Sequence, residues 1–420
     1  MDDHADDHGR AEPTLAGFAT RAERRGGGPP RRLVHETWGD HAALLARSVH
    51  ASDGSVGQVR PQVIDVANPR EPLGLTSGGR LDHVAVAYET YGELDARGDN
   101  AVLVCHALTG SAHAAGRHGE GEIPGWWDPL IGPGKALDVR EHFVICSNVL
   151  GGCYGTTGPV SIDPATGRRY GPAFPRLTVR DMVEVQRRLL DRLGVGRLRA
   201  VVGGSMGGMQ ALEWAATHPE RVGALVAIAI GARHSAWAIG LNEVARRAIA
   251  ADPAFHDGAY RPDRQPETGL GLARAIAMLT YRSFDSLEAR FGRDRRQAEE
   301  EGLEASFEIA SYLRYQGVKL AQRFDANTYV GLTHAMDDHD LTAGRGPLRE
   351  VLAGMRMPAL VMGIGSDVLY PETEQRQLVE GLPDARYARL VSPHGHDAFL
   401  IEFPQVAAHL RRFLRERAPR

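Results

Sequence analysis

Ser205, Asp367 and a histidine of His394-Gly395-His396 are the residue types, in the chain order, that turn a hydroxyl into a nucleophile. A serine hydroxyl is a poor nucleophile at neutral pH. It needs a base to take its proton, and that base needs an acid to orient it. Ser205 sits in Gly203-Gly204-Ser205-Met206-Gly207-Gly208, a G-x-S-x-G pattern. By itself this is equally a glycine-rich turn that contains a serine. The flanks favour chemistry. Leu198–Val202 is rich in β-branched residues and uncharged after Arg199, and Met209–His218 places Leu212, Trp214 and Ala215 at helical spacing. Strand, sharp turn and helix form the context of a nucleophile elbow. Gly203 and Gly207 fit a turn so crowded that a Cβ at either place would clash.

Partners for the serine lie near the end of the chain. Asp367 follows the apolar run Pro358–Ile364 in Ile364-Gly365-Ser366-Asp367, where a buried strand would end. Two histidines follow, in His394-Gly395-His396-Asp397-Ala398-Phe399-Leu400, and spacing alone does not choose between His394 and His396. An HxH pair is also a metal-site pattern, but no further ligand cluster supports it. The nearest candidate, Asp337-Asp338-His339-Asp340, reads as a solvated turn. Acyl transfer also requires donors for an oxyanion. One is the N–H of the residue after the nucleophile, Met206, and the other comes from a loop after an early strand. His106-Ala107-Leu108-Thr109-Gly110 is such a loop, with the Leu108 N–H as candidate; a purely structural turn is the alternative.

The elements that must position these groups follow from hydrophobic patterning. Gln62–Val66, Asp82–Thr90, Asn100–Cys105, His142–Cys146, Leu198–Val202 and Ala224–Ile230 read as strands, with a helix over Asp181–Leu193. Strands alternating with helices predict a mostly parallel α/β sheet. Between 235 and 348 no buried strand is evident, and Leu241–Ala251, Gly271–Leu279 and Leu303–Phe324 read as helices, so this stretch forms a helical cap. The sheet core then spans 59–234 and 349–420, closing with Ala385–Val391 and a helix over Pro404–Arg415. Residues 1–58, dominated by Asp, His, Arg, Gly and Pro, bury too little apolar area to order themselves and read as a disordered extension with one short helix over His41–His50.

Composition sets the outer bounds. A chain of 420 residues, 43% hydrophobic and 24% charged, has the texture of a globular enzyme with a large core. A net charge of −4 gives no reason to expect nucleic acid or an anionic membrane as partner. Cys105, Cys146 and Cys153 are odd in number and lack CxxC spacing, which fits a reducing cytoplasm. No apolar run approaches the roughly 20 residues that span a bilayer. The N-terminus lacks the basic start and apolar stretch of a signal peptide.

From Pro61 to Arg415 the chain resembles the homoserine O-acetyltransferase family of α/β-hydrolase-fold enzymes. The resemblance rests on five segments in order: His106–Gly110, Gly125-Trp126-Trp127-Asp128-Pro129 through Lys135, Ser147–Gly155, Gly203–Gln210 and Gly395–Leu400. Within the second, Gly132-Pro133-Gly134-Lys135 lacks the glycine spacing and following Ser/Thr of a P-loop. The resemblance implies Ser205 as nucleophile, His396 rather than His394 as base, and Asp367 as its acid. It implies transfer of acetyl from acetyl-CoA, a co-substrate rather than a cofactor, to L-homoserine in methionine biosynthesis. The implied route is a ping-pong acyl-serine mechanism in a cytoplasmic homodimer. It also matches Arg274 to a substrate-binding arginine of the cap, and Asp397 to the acid after the catalytic histidine. A cation for the carboxylate and an anion for the ammonium suit a zwitterionic acceptor. Arg282 keeps the reading of a helix-surface ion pair. Succinyl transfer, serine as acceptor, a plain carboxylesterase and a non-catalytic binding protein are the competing readings.

Overall fold

The structure, a computed structural model, describes residues 54–296 and 306–418. The apolar runs form an eight-stranded sheet: β1 Gln62–Ala67, β2 Val84–Tyr91, β3 Ala101–Cys105, β4 Phe143–Ser147, β5 Leu198–Gly204, β6 Leu225–Ile228, β7 Ala359–Ile364 and β8 Ala385–Leu390. Their spatial order is β1-β2-β4-β3-β5-β6-β7-β8. β2 pairs antiparallel with both β1 and β4, and all other neighbours are parallel. Uncharged runs such as Ala101–Cys105 and Ala359–Ile364 are buried along their whole length because helices cover both faces of the sheet. The edge strand β8 is different: Arg386 and Arg389 point outward to Glu416 and Glu372, and charge on an exposed edge discourages pairing with another chain.

Two cores result. On one face lie helices α1 (Val179–Arg192) and α2 (Met206–Thr217), with Met182, Leu189, Leu212 and Trp214 against Val201 and Val361. α1 starts in a capping box in which the Thr178 hydroxyl and the Asp181 carboxylate satisfy each other's backbone N–H groups. On the other face, Trp127 joins Val202, Val226 and Met362 and the apolar stripe of the last helix, Phe403, Val406, Leu410 and Phe413.

Between β6 and β7 the chain forms α3 (Ala236–Ala250), α4 (Glu267–Tyr281), α5 (Phe284–Phe291), α6 (Glu308–Ala321) and α7 (Ala326–Asp337), then α8 (Leu348–Gly354). α9 (Glu372–Gly381) and α10 (Phe403–Glu416) follow β7 and β8. α4 and α6 cross where Gly271 meets Gly317; a Cβ on Gly317 would stand 2.7 Å from the Gly271 carbonyl oxygen. Among the described residues no helix is long and apolar enough to cross a membrane.

Three expectations need correction. The extension expected to be disordered through residue 58 lies outside the described residues up to 53, as does the helix over His41–His50. Residues 54–58, however, are docked, with Gln58 bridging to Arg117. Asp337–Asp340 is no solvated turn: Asp337 ends α7 and pairs with Arg246 at 2.7 Å, and His339 is buried. The all-helical stretch also holds a two-residue ribbon joining Arg295–Arg296 to Ser306–Phe307.

Candidate active site

Ser205 caps the junction of β5 and α2 with φ 56°, a conformation that few non-glycine residues adopt. Its N–H donates to the Ile228 carbonyl at 3.0 Å. The neighbours must be glycine for the reason expected. A Cβ on Gly203 would lie 2.0 Å from the Gly207 carbonyl oxygen, and one on Gly207 would lie 2.1 Å from that of Cys105. The second contact brings the start of α2 against the end of β3, where the His106–Gly110 loop begins. Leu108 and Met206 are both buried, and among the described residues neither N–H donates a hydrogen bond. For Met206 this follows from its place in the first helical turn.

His106 opens that loop and is held by its backbone. Nδ1 is 2.8 Å from the Ala107 carbonyl oxygen, and Nε2 accepts from the Val149 N–H at 3.2 Å. Burial depresses its pKa to about 4, so it stands neutral as a fastener. Behind the elbow, Gln210 donates to the His106 and Met206 carbonyls and accepts from Gln186, linking loop, elbow and α1.

His396 Nδ1 lies 2.7 Å from Asp367 Oδ2, and both residues are almost wholly buried. The other Asp367 oxygen accepts from the Leu369 and Tyr370 N–H groups at 2.8 and 3.0 Å, fixing the carboxylate. Burial alone would lower the His396 pKa, but the charge and hydrogen bond of Asp367, aided by Asp397, hold it above the ordinary histidine value. His396 Nε2 is buried without a hydrogen-bond partner among the described residues. The structure thus separates the two histidines that spacing could not: His394 Nδ1 faces the Ser286 hydroxyl at 3.3 Å instead. Phe399, whose ring is 5.7 Å from that of His396, touches the position where a Cβ on Gly204 would stand, and so connects the histidine loop to the elbow.

Several residues with no motif of their own complete the site. The Ser366 hydroxyl donates to the Ser392 carbonyl and accepts from the Gly395 N–H, tying the Asp367 loop to the His396 loop. Tyr281 and Tyr370 flank the imidazole, with ring centroids 5.8 and 5.2 Å away. Arg323, at the end of α6, donates to the Thr109 carbonyl at 2.9 Å and the Tyr154 hydroxyl at 2.6 Å, so the cap also grips the Leu108 loop. No local pattern could have found these contacts, because each joins segments far apart in the chain.

Arg274 lies on α4 with its guanidinium 5.3 Å from the centre of the Tyr281 ring, on the cap side of the His396 surroundings. The reading of Arg282 as a surface pair fails. It ends α4, is 18% exposed, and places Nε 3.3 Å from Asp397 Oδ2. The carboxylate assigned to a substrate ammonium therefore already has one cationic partner. Lys135, at the end of the segment that lacks a P-loop's spacing, donates to the Asp128 carbonyl and carboxylate and braces the Trp127 turn.

Comparison with known proteins places the chain among relatives of the same fold. A family model described as the alpha/beta hydrolase fold matches residues 100–403. The homoserine O-acetyltransferase of Carboxydothermus hydrogenoformans is 50% identical over 370 residues, covering 86% of this chain and 97% of its own. That of Moorella thermoacetica is 52% identical over 355 residues, 83% and 94% of the two chains. Among solved structures, homoserine O-acetyltransferase from Bacillus anthracis superposes with a TM-score of 0.80 at 28% identity, covering 86% of this chain and 99% of its own. Esterase E22 superposes at 0.77 and 30% identity, with 85% and 100% covered. With the alpha/beta hydrolase fold matched over most of its length and half of its residues shared with these transferases, the chain belongs to the homoserine O-acetyltransferase family.

Proposed function

We infer that this protein transfers the acetyl group of acetyl-CoA to the hydroxyl of L-homoserine, making the acetyl ester that serves methionine biosynthesis. The observation that carries the reading is the buried His396–Asp367 pair, whose Nε2 has no hydrogen-bond partner among the described residues, together with a serine held at the tip of a strained turn. His396 Nε2 takes the Ser205 proton as the hydroxyl attacks the thioester carbonyl. Asp367 stabilises the imidazolium. The Leu108 and Met206 N–H groups, which lack other acceptors, receive the oxyanion. CoA leaves as the thiol with the proton from His396, and an acetyl-serine remains. Homoserine then enters, and His396 takes the proton of its hydroxyl as that oxygen attacks the acetyl carbonyl. The second tetrahedral intermediate collapses to the ester while His396 returns the proton to the departing Ser205 oxygen.

Arg274 suits the acceptor's carboxylate, and Asp397, held in place by Arg282, suits its ammonium. The scheme uses acetyl-CoA as a co-substrate and asks for no resident cofactor. Transfer in place of hydrolysis requires that water be kept from the acetyl-serine, a role that falls to the cap helices above the sheet.

Two further attributes belong to this reading. Leu272 and Leu279, one heptad apart on α4, and Tyr315 and Val318 on α6 expose apolar side chains on adjoining cap helices, and Trp237 and Phe284 are exposed on α3 and α5. Such a surface supports a homodimer formed through the cap. Three unpaired cysteines, two of them buried, support a cytoplasmic setting.

Hydrolysis is the second reading, favoured by the similarity to esterase E22. Thiol release from acetyl-CoA and from succinyl-CoA, with and without L-homoserine, decides between them. Homoserine-dependent release from acetyl-CoA, with a product of acetylated mass, is the expected result. Release indifferent to homoserine, or p-nitrophenyl acetate outpacing acetyl-CoA, would replace the transferase with an esterase; a preference for succinyl-CoA would change the donor.

A further inference from the structure

Away from Ser205, the fold brings three donor groups together: Glu89 on β2, and His113 and His118 in the long loop after β3. One ligand atom from each residue lies within 4.8 Å of the other two. His113 Nδ1 is 3.0 Å from Glu89 Oε2, and His118 Nε2 is 2.6 Å from Oε1. Glu89 is 1% exposed, and among the described residues no lysine or arginine pairs with it. A carboxylate so buried calls for a compensating cation. The two imidazoles stand where such a cation would sit, with ring centroids 3.8 Å apart and one nitrogen of each on a different Glu89 oxygen.

The surroundings are those of a held site. The Tyr91 hydroxyl donates to Glu89 Oε2 at 2.8 Å and accepts from the Ala114 and Ala115 N–H groups, fixing the carboxylate relative to the loop that bears His113. The same loop is fastened further on, where the Gly116 N–H donates to Asp128 Oδ1 and Arg117 bridges to Gln58. The second nitrogen of His113, Nε2, is buried without a partner, so the ring's polar engagement is at Nδ1 alone. His118 is about one-third exposed and gives access from solvent.

We propose that Glu89, His113 and His118 bind a divalent first-row transition-metal cation, with zinc the best match to a two-histidine, one-carboxylate donor set. The histidines ligate as neutral rings through Nδ1 of His113 and Nε2 of His118, each keeping its one proton on the other ring nitrogen, and any second proton shared with Glu89 goes to solvent. Tyr91 orients the carboxylate from outside the coordination sphere. The ion clips β2 to the loop that also carries Leu108. Its effect is therefore on the loop's order rather than on the reacting atoms.

The test uses the full chain, stripped with a chelator and titrated with ZnCl2 alone or CoCl2 alone. Calorimetry is expected to show one equivalent bound, with a higher Tm in the loaded protein and visible ligand-field absorption from the cobalt form. His118→Gln should weaken zinc binding at least tenfold, as should Glu89→Gln, while Ser205→Ala should bind as the parent does. Glu89→Gln alters a buried group and tests the proposal only if it folds. His118→Gln, at an exposed position and checked by circular dichroism, is the decisive variant. Absence of a stoichiometric zinc site in the parent protein, or undiminished binding in folded His118→Gln, overturns the proposal. The first of these results would leave a hydrogen-bonded cluster only.

Discussion

In the proposed mechanism the imidazole of His396 carries opposite demands from catalysis and from folding. As a base it must be neutral, and Asp367 holds its pKa above the ordinary value of about 6.5. The acidic limb of the kcat/KM profile is therefore expected above pH about 6.5, and Asp367→Asn should move it downward while lowering kcat steeply. Stability runs the other way. A group whose pKa is raised on folding contributes stability that is complete below its unfolded value and is lost as the pH rises through the folded value. The difference in urea midpoint between the parent and Asp367→Asn should thus be larger near pH 5.5 than near pH 8.5, values that bracket the ordinary histidine range of about 6.5. At the nucleophile, Ser205→Ala should lower kcat by about 10⁴-fold or more with little change in stability. Arg274→Ala, read in steady-state kinetics, should raise the KM for homoserine far more than that for acetyl-CoA.

Among the elements, the helix behind the nucleophile is anchored by a buried charge. Glu213 on α2 receives Arg180 of α1 at 2.8 Å and Arg345 from the stretch between α7 and α8. Removing the carboxylate leaves cations facing each other in a nearly dry site. Glu213→Gln should cost about 3 kcal/mol, the low end for a broken buried pair because Arg180 stays one-third exposed; urea unfolding with an unchanged m-value would verify it. The same elements show where the sequence was legible. Strands such as Ala101–Cys105 and the Gly203–Gly207 turn were readable because burial on two faces and backbone crowding each leave a local mark. Spacing could not separate His396 from His394, and only the resemblance chose between them, since physically it is the position of Asp367 across the sheet edge that distinguishes them. The helical start of Asp337–Asp340 was missed because Asp337 is neutralised by a distant partner, Arg246. Arg282–Asp397 and Glu89–His113–His118 depend on contacts between separate segments, which no spacing encodes.

For the whole molecule, the proposed homodimer would form through the exposed apolar residues of α4 and α6. A parent protein sedimenting at twice the chain mass, and a Leu272→Asp/Val318→Asp variant sedimenting as a monomer with its circular dichroism intact, are the expected results. The cap is also sewn to the segment that bears the base. The Ser283 hydroxyl donates to the Pro393 carbonyl, Ser286 meets His394, and Arg282 holds Asp397. A Cβ on Gly395 would strike the backbone of Arg282 and Ser283, so the two segments touch main chain to main chain. The consequence is one of modularity. The cap is not an interchangeable lid on a generic hydrolase sheet; it is physically bonded to residues 393–397. A chimera that grafts an esterase cap between β6 and β7 should lose activity unless that short segment is exchanged with it, so that evolving a new acceptor in this chain means altering two distant stretches in concert.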